Sequence, residues 1–148
     1  MERGFGDYDF IYPVHPNPKV RETVFAKLGA GRHANVYLIQ PLDYLPFVDL
    51  MSRATLILTD SGGVQEEAPS LGKRVVVLRE VTERMEGLET GLIRLAGTDR
   101  QKIVHFVEDA LIGQWRVLTE GCDVYGDGGA SARILDRLAA HPKMTSVP

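Results

Sequence analysis

The chain has 148 residues, of which 44% are hydrophobic and 25% charged, enough apolar material for one globular domain (1–148) with its own core and too little chain for a second full one. Its formal net charge of −3 supplies no positive field for nucleic acid or an anionic membrane, so both are excluded as partners. The only cysteine, Cys122, excludes an intramolecular disulfide, nothing suggests secretion or a thiolate zinc site, no apolar run reaches membrane-span length and the start is not of signal-peptide type, which together point to the cytoplasm.

Short apolar runs alternate with longer helical patterns. The strands expected in chain order are "DFIYPV" (9–14), "VYLI" (36–39), "TLILT" (55–59), "RVVVL" (74–78) and "LIRLA" (92–96). Each is apolar enough to be covered on both faces, as parallel strands are. Asn17 caps a helix with Pro18 in its first turn and Gly29 past its end. Asp43 caps the next, where Leu45, Val48 and Met51 recur at helical spacing. A longer helix begins at Thr98 with Ile103, Phe106, Val107 and Leu111 on one face, and the last runs from about Ala130 to Ala140. The alternation predicts an α/β fold with a doubly wound, mostly parallel, Rossmann-like sheet.

Ligands of such sheets sit beyond the carboxyl ends of strands. After Thr59 and Asp60, the turn of Ser61, Gly62 and Gly63 has almost no side-chain bulk, and the helix that follows aims free N–H groups and its positive dipole end at the same space. That is a phosphate site. Glu67 lies one turn below Gly63 on the same face, and beside a diphosphate a carboxylate is tolerated where it accepts hydrogen bonds from hydroxyls, so ribose is its natural partner. Val64, Ala68 and Leu71 form the expected buried stripe, while Pro69 keeps the helix short or bent and Gly72 ends it. The competing reading is an ordinary tight turn with solvated glutamates. His15, just past the first strand, is a candidate for a phosphate contact or a proton transfer; the alternative is a surface or satisfied core histidine. Arg79 and Arg84 follow the fourth strand, and one of them facing the edge would give a forked donor for phosphate; the alternative is a solvated charged loop.

"YPVHPNPKVRE", "QPLDYLPFVDLM", "LILTDSGGVQEEAPSLGK", "REVTER" and "VYGDGGAS", in this order and spacing, resemble the C-terminal part of the non-hydrolysing UDP-N-acetylglucosamine 2-epimerases from about Asp9 to Leu138. The resemblance implies half of a glycosyltransferase-B-type fold, whose two Rossmann-like domains hold the sugar nucleotide in the cleft between them. By residue matching it implies that Ser61, Gly62 and Gly63 hold UDP phosphate, that Glu67 holds ribose, that Phe47 lines the uracil pocket, and that His15 and Arg84 lie near the diphosphate. The family interconverts UDP-N-acetylglucosamine and UDP-N-acetylmannosamine, eliminating UDP and adding it back on the other face. That isomerase chemistry needs a base for the C2 proton and stabilisation of departing UDP. It moves no hydride, so no cofactor is expected.

The acidic residues proposed for proton transfer belong to the family's N-terminal domain, so the resemblance implies a truncated, UDP-binding portion that binds UDP or UDP-N-acetylglucosamine without turnover. A stand-alone nucleotide-sugar module, and one half of a split epimerase or glycosyltransferase completed by an N-terminal half, are the alternatives. Met85 stands where "ERPE" is usual, and Asp123-Val124 where "NPYGDG" is usual. The family's C-terminal domain also opens with a strand, absent here, that lies between the "YPVH" and "LILTD" strands. Direct pairing of those two strands, with self-association into a homo-oligomer, is the expected repair.

Overall fold

The computed structural model describes residues 5–29, 31, 33–118 and 123–140; Cys122 lies outside them. The chain divides into two compact units, 1–49 and 50–148.

In the first unit, β1 (Phe10–Pro13) and β2 (Val36–Ile39) form a parallel two-stranded ladder in which Phe10 faces Val36 and Pro13 faces Ile39. A 3-10 turn at Phe5–Asp7 precedes β1, and the Asn35 side-chain amide closes this end by donating to the carbonyls of Phe5 (2.9 Å) and Tyr8 (2.8 Å). Helix α1 (Pro18–Leu28) follows β1. Its cap is the expected one: the Asn17 carboxamide oxygen accepts the Lys19 N–H, and Pro18 sits where a missing N–H costs nothing. Helix α2 (Tyr44–Arg53) carries the boundary between the units. The Asp43 carbonyl accepts the Phe47 N–H, and of the three apolar residues at helical spacing only Met51 is buried.

The second unit is a three-stranded parallel sheet in the order β3 (Ile57–Thr59), β4 (Val75–Val77), β5 (Ile93–Leu95). Its helices are α3 (Gly62–Ser70), α4 (Met85–Glu89), α5 (Arg100–Leu111) and α6 (Ala130–Ala139), with a 3-10 turn at Asp123–Tyr125. Strand β4 is central, and Val75, Val76 and Val77 have no exposed surface. Around Val76 pack Ala96, Ala110 and Trp115, with Leu56, Leu78, Ile103 and Phe106 at the margin. Trp115 is buried because its indole N–H finds the Gly91 carbonyl at 2.6 Å. Arg94 lies against this cluster, its guanidinium carbon 4.3 Å from the Trp115 ring centre and Nη1 2.6 Å from Asp109, so its charge is paired where it is partly buried.

The α/β class and the parallel strands are as expected; three details differ. Only β4 is covered on both faces, whereas Ile11, Tyr12, Tyr37 and Leu58 are each about half exposed, because β1, β2, β3 and β5 are edges of short ladders. Strands β1 and β3 do not pair: β1 bonds β2 and β3 bonds β4, so the direct pairing expected of them is not found among the described residues. The longer helix, expected to begin at Thr98, spans Arg100–Leu111 with Asp99 as its cap, since the Asp99 carboxylate reaches the N–H groups of Gln101 (2.8 Å) and Lys102 (3.2 Å).

No helix among the described residues is long and apolar enough to cross a membrane.

Candidate functional site

The best-built constellation lies in the second unit, where α3 begins. Ser61 is extended (φ −75°, ψ 133°) and caps α3, its Oγ accepting the Val64 N–H at 3.5 Å. The Ser61 N–H is itself fixed on Thr59 Oγ1 at 3.0 Å. At Gly63 a Cβ would meet nothing closer than 4.0 Å, so the space before the helix is open. At the far end, Pro69 removes one helical N–H, and α3 closes after nine residues. Gly72 (φ +68°) donates to the Pro69 carbonyl and Lys73 to that of Ala68, the pair of bonds that lets a glycine in the left-handed region end a helix.

Arg84 comes to this turn from the loop after β4. A Cβ on Gly62 would stand 3.3 Å from Arg84 Nη2 and 3.4 Å from its Cζ. Arg84 Nε donates to Glu66 Oε1 at 2.7 Å, and Nη1 to the exposed Glu83 at 3.1 Å. The hydrogen bond to Glu66 raises the guanidinium pKa above its ordinary value, against the opposing effect of partial desolvation. A positive fork held over glycine backbone at a helix N-terminus has the chemistry to accept an oxyanion, since the dipole end and the guanidinium favour the same charge.

The carboxylates divide the work differently from the simplest sequence reading. Glu66, given no role from sequence, makes the ion pair. Glu67 points to the open side, its Oε1 4.0 Å from a Cβ built at Gly63, one turn below that residue as its spacing requires.

The buried stripe of α3 also differs. Val64 and Leu71 are only half-buried, and the fully buried positions are Gln65, Ala68 and Pro69. Gln65 and Thr82, neither singled out from sequence, are hydrogen-bonded to each other at 2.6 Å beneath the turn. Gln65 precedes Ala68 by three and Pro69 by four, which is the only sequence signal that it faces inward. Within the expected loop 78–87 begins α4, too short to announce itself by periodicity. Tyr125 reaches α4: its hydroxyl is buried without a hydrogen-bond partner among the described residues, 2.8 Å from where Gly87 would carry a Cβ. Burial pushes its pKa up, partly offset by the Gly87 backbone, which approaches without hydrogen-bond geometry.

Ser61, Gly62, Gly63, Glu67 and Arg84 are thus gathered in the second unit. His15 and Phe47 belong to the first. His15 is exposed, and its Nδ1 accepts the Asn17 N–H at 3.1 Å, leaving Nε2 as the ring nitrogen available for other partners. Phe47 is half-buried on α2. Arg79 is exposed. Among the described residues no group of three or more His, Cys, Asp or Glu side chains is placed to hold a metal ion.

The sequence profile of UDP-N-acetylglucosamine 2-epimerase matches residues 2–139. The chain belongs to this family. It is 52% identical over 134 residues to the UDP-N-acetylglucosamine 2-epimerase of Escherichia coli (strain K12), covering 89% of this chain and 35% of that protein. It is 50% identical over 143 residues to a probable UDP-N-acetylglucosamine 2-epimerase of Ralstonia solanacearum, covering 95% of this chain and 38% of that one. The chain therefore spans 35–38% of the length of these curated relatives. Among solved structures, the S. aureus MnaA–UDP co-structure superposes with a TM-score of 0.81 at 39% identity, covering 97% of this chain and 40% of that one. The Neisseria meningitidis UDP-GlcNAc 2-epimerase bound to UDP-GlcNAc superposes at 0.73 with 41% identity, covering 90% of this chain and 36% of that one. The epimerase superpositions carry the glycosyltransferase-B-type assignment of the fold.

Proposed function

We propose that this chain is the UDP-binding portion of a UDP-N-acetylglucosamine 2-epimerase. The diphosphate is received by the Ser61–Gly62–Gly63 turn, the N-terminus of α3 and Arg84; Glu67 accepts from the ribose hydroxyls. By family matching, His15 is a second phosphate contact and a candidate for proton transfer, and Phe47 lines the uracil. The observation that carries this reading is the Arg84 guanidinium 3.4 Å from the Cβ position of Gly62, above a turn with no side-chain bulk. Supporting it are the family membership and the solved relatives, whose bound ligands are UDP and UDP-GlcNAc.

The epimerase reaction is assigned to an assembly that includes the rest of the family's architecture, because the chain spans little more than a third of the length of its curated relatives. The 148 residues by themselves are assigned binding without turnover. Association with a complementary N-terminal half or a second copy is part of the same proposal, and a cytoplasmic location fits a nucleotide-sugar substrate. In support, Ile134, Leu135 and Leu138 leave apolar surface on α6 exposed by half or more.

Calorimetric titration with UDP, UMP and uridine tests the reading. UDP binds with a dissociation constant on the order of 0.1 to 10 mM, UMP more weakly and uridine more weakly still, since each lost charge forfeits part of the dipole and guanidinium attraction. Equal affinities for UDP and uridine would remove the phosphate role from this turn.

A further inference from the structure

One side chain on the buried face of α3 has no place in an apolar stripe. Gln65 has no exposed surface, yet its amide is used at both ends: Nε2 donates to the Ser61 carbonyl at 3.1 Å and Oε1 accepts the Thr82 hydroxyl at 2.6 Å. Thr82 is also buried, and its Oγ1 accepts the Arg84 N–H at 3.1 Å. A continuous chain of hydrogen bonds therefore runs from the backbone of Ser61, through Gln65 and Thr82, to the backbone of Arg84. Bridging Ser61 to Thr82 in this way takes a donor for the Ser61 carbonyl and an acceptor for the Thr82 hydroxyl on one side chain: glutamate has no N–H for Ser61, and leucine would leave the Ser61 carbonyl and the Thr82 hydroxyl without these bonds.

We propose that Gln65 and Thr82 are positioning residues that fix Arg84 over the glycine turn before any ligand arrives. The proposal rests on the UDP-binding reading of that turn. The geometry gives the bridge a purpose beyond packing. It joins the two segments whose polar groups face the same open space, the cap of α3 and the residue preceding α4, and it joins them backbone to backbone. Arg84 has φ −101° and ψ 66°, outside the helical and extended wells, so its backbone has to be held by its neighbours. With the backbone held by Thr82 and Nε held by Glu66, Nη2 is the part of the fork left above Gly62. Glu83, 90% exposed, holds Nη1 from solvent, so it is the partner a phosphate displaces, while Glu66 keeps its bond. An arginine immobilised in advance loses less freedom on binding, which is what pre-organisation contributes to affinity.

The test compares Thr82→Val, which keeps the shape and removes the hydroxyl, with Thr82→Ser, which keeps the hydroxyl. Thr82→Ala makes the same comparison if the valine variant does not fold. Three quantities are read: the affinity for UDP, the affinity for uridine, and the water-exchange rate of the Arg84 Nε–H in nitrogen-edited NMR, assigned by its loss in Arg84→Lys. Thr82→Val weakens UDP about tenfold, leaves uridine within about twofold and speeds the Nε–H exchange. Thr82→Ser restores both to within about threefold, and in an Arg84→Ala background Thr82→Val costs no further UDP affinity. Equal losses for UDP and uridine, an undiminished loss in the Arg84→Ala background, or unchanged Nε–H exchange in Thr82→Val would each overturn the positioning role. If the unmutated chain does not prefer UDP to uridine, the nucleotide reading falls; the exchange rate then decides the positioning of Arg84 by itself, faster exchange in Thr82→Val supporting it and unchanged exchange overturning it.

Discussion

Arg84 covers the backbone of Gly62, with Nη2 3.3 Å from the place a Cβ would occupy. The contact is with the end of a side chain and not with backbone, so an alanine there does not break the fold; it displaces the Nη groups, which Thr82 and Glu66 do not hold. Gly62 is the first residue of α3 and its φ is not in the left-handed region, so alanine is compatible with its backbone. Gly62→Ala is expected to leave stability unchanged or raise it by up to about 1 kcal/mol, through helix propensity and a less flexible unfolded chain. UDP affinity falls about tenfold. Thermal melts and calorimetry on one preparation check both halves, and a stable variant with undiminished UDP binding would separate Arg84 from the ligand.

Glu67 is the carboxylate on the open side of the turn, and Glu66 the one spent on Arg84. Glu67→Ala therefore weakens UDP by about three- to tenfold and 2′-deoxy-UDP less, if a ribose hydroxyl is its partner. Glu66→Ala weakens both nucleotides alike, because its effect passes through the arginine. A titration of the two ligands against the two variants gives the pattern, and equal losses of UDP and 2′-deoxy-UDP in Glu67→Ala would contradict the ribose role.

Gly87, in α4, marks where a single methyl group is not accommodated. A Cβ there would overlap Ile93 Cδ1 and stand 2.8 Å from the Tyr125 hydroxyl, and Gly87 is buried. Gly87→Ala is expected to cost about 1–3 kcal/mol by overpacking. Urea denaturation measures it; an unchanged midpoint would mean that α4 and the Tyr125 turn are not packed as described.

Tyr125 links that packing to pH. Its folded-state pKa is raised by burial, so below the unfolded value of about 10 the protonated side chain contributes its full share of stability. As pH rises through the higher folded value that contribution is lost, because the unfolded chain releases the proton more readily. Tyr125→Phe removes this alkaline dependence and, by deleting a buried hydroxyl without a partner, leaves neutral-pH stability unchanged or up to about 1 kcal/mol higher. Denaturation midpoints of both proteins between neutral pH and about pH 11 test the sign.

Much of the frame was legible in the sequence, because each signal was local. "VVV" between turn residues reads as a strand covered on both faces, Asn17 before Pro18 as a cap, and Ser61-Gly62-Gly63 as a helix start. What was not legible depends on tertiary partners. Gln65 sits in "VQEEAPS", where a polar residue reads as solvated until Thr82, seventeen residues away, supplies its donor. Adjacent Glu66 and Glu67 look equivalent in sequence, and only the arrival of Arg84 distinguishes them. Helix α4 spans five residues without a side-chain cap, so neither periodicity nor capping revealed it. The pairing of β1 with β3 was inferred from a family strand order; in this chain β1 is paired with β2 and β3 with β4.

The most direct test of the UDP-binding turn is amide NMR of the chain during a UDP titration, with uridine in parallel. The expected result is that UDP moves the Ser61, Gly62, Gly63 and Val64 amides together with the Arg84 side-chain Nε–H, in one saturable process, and that uridine leaves these five signals in place. Saturable UDP shifts elsewhere, with the glycine-turn amides and Arg84 unmoved, would contradict the assignment of the diphosphate to this turn.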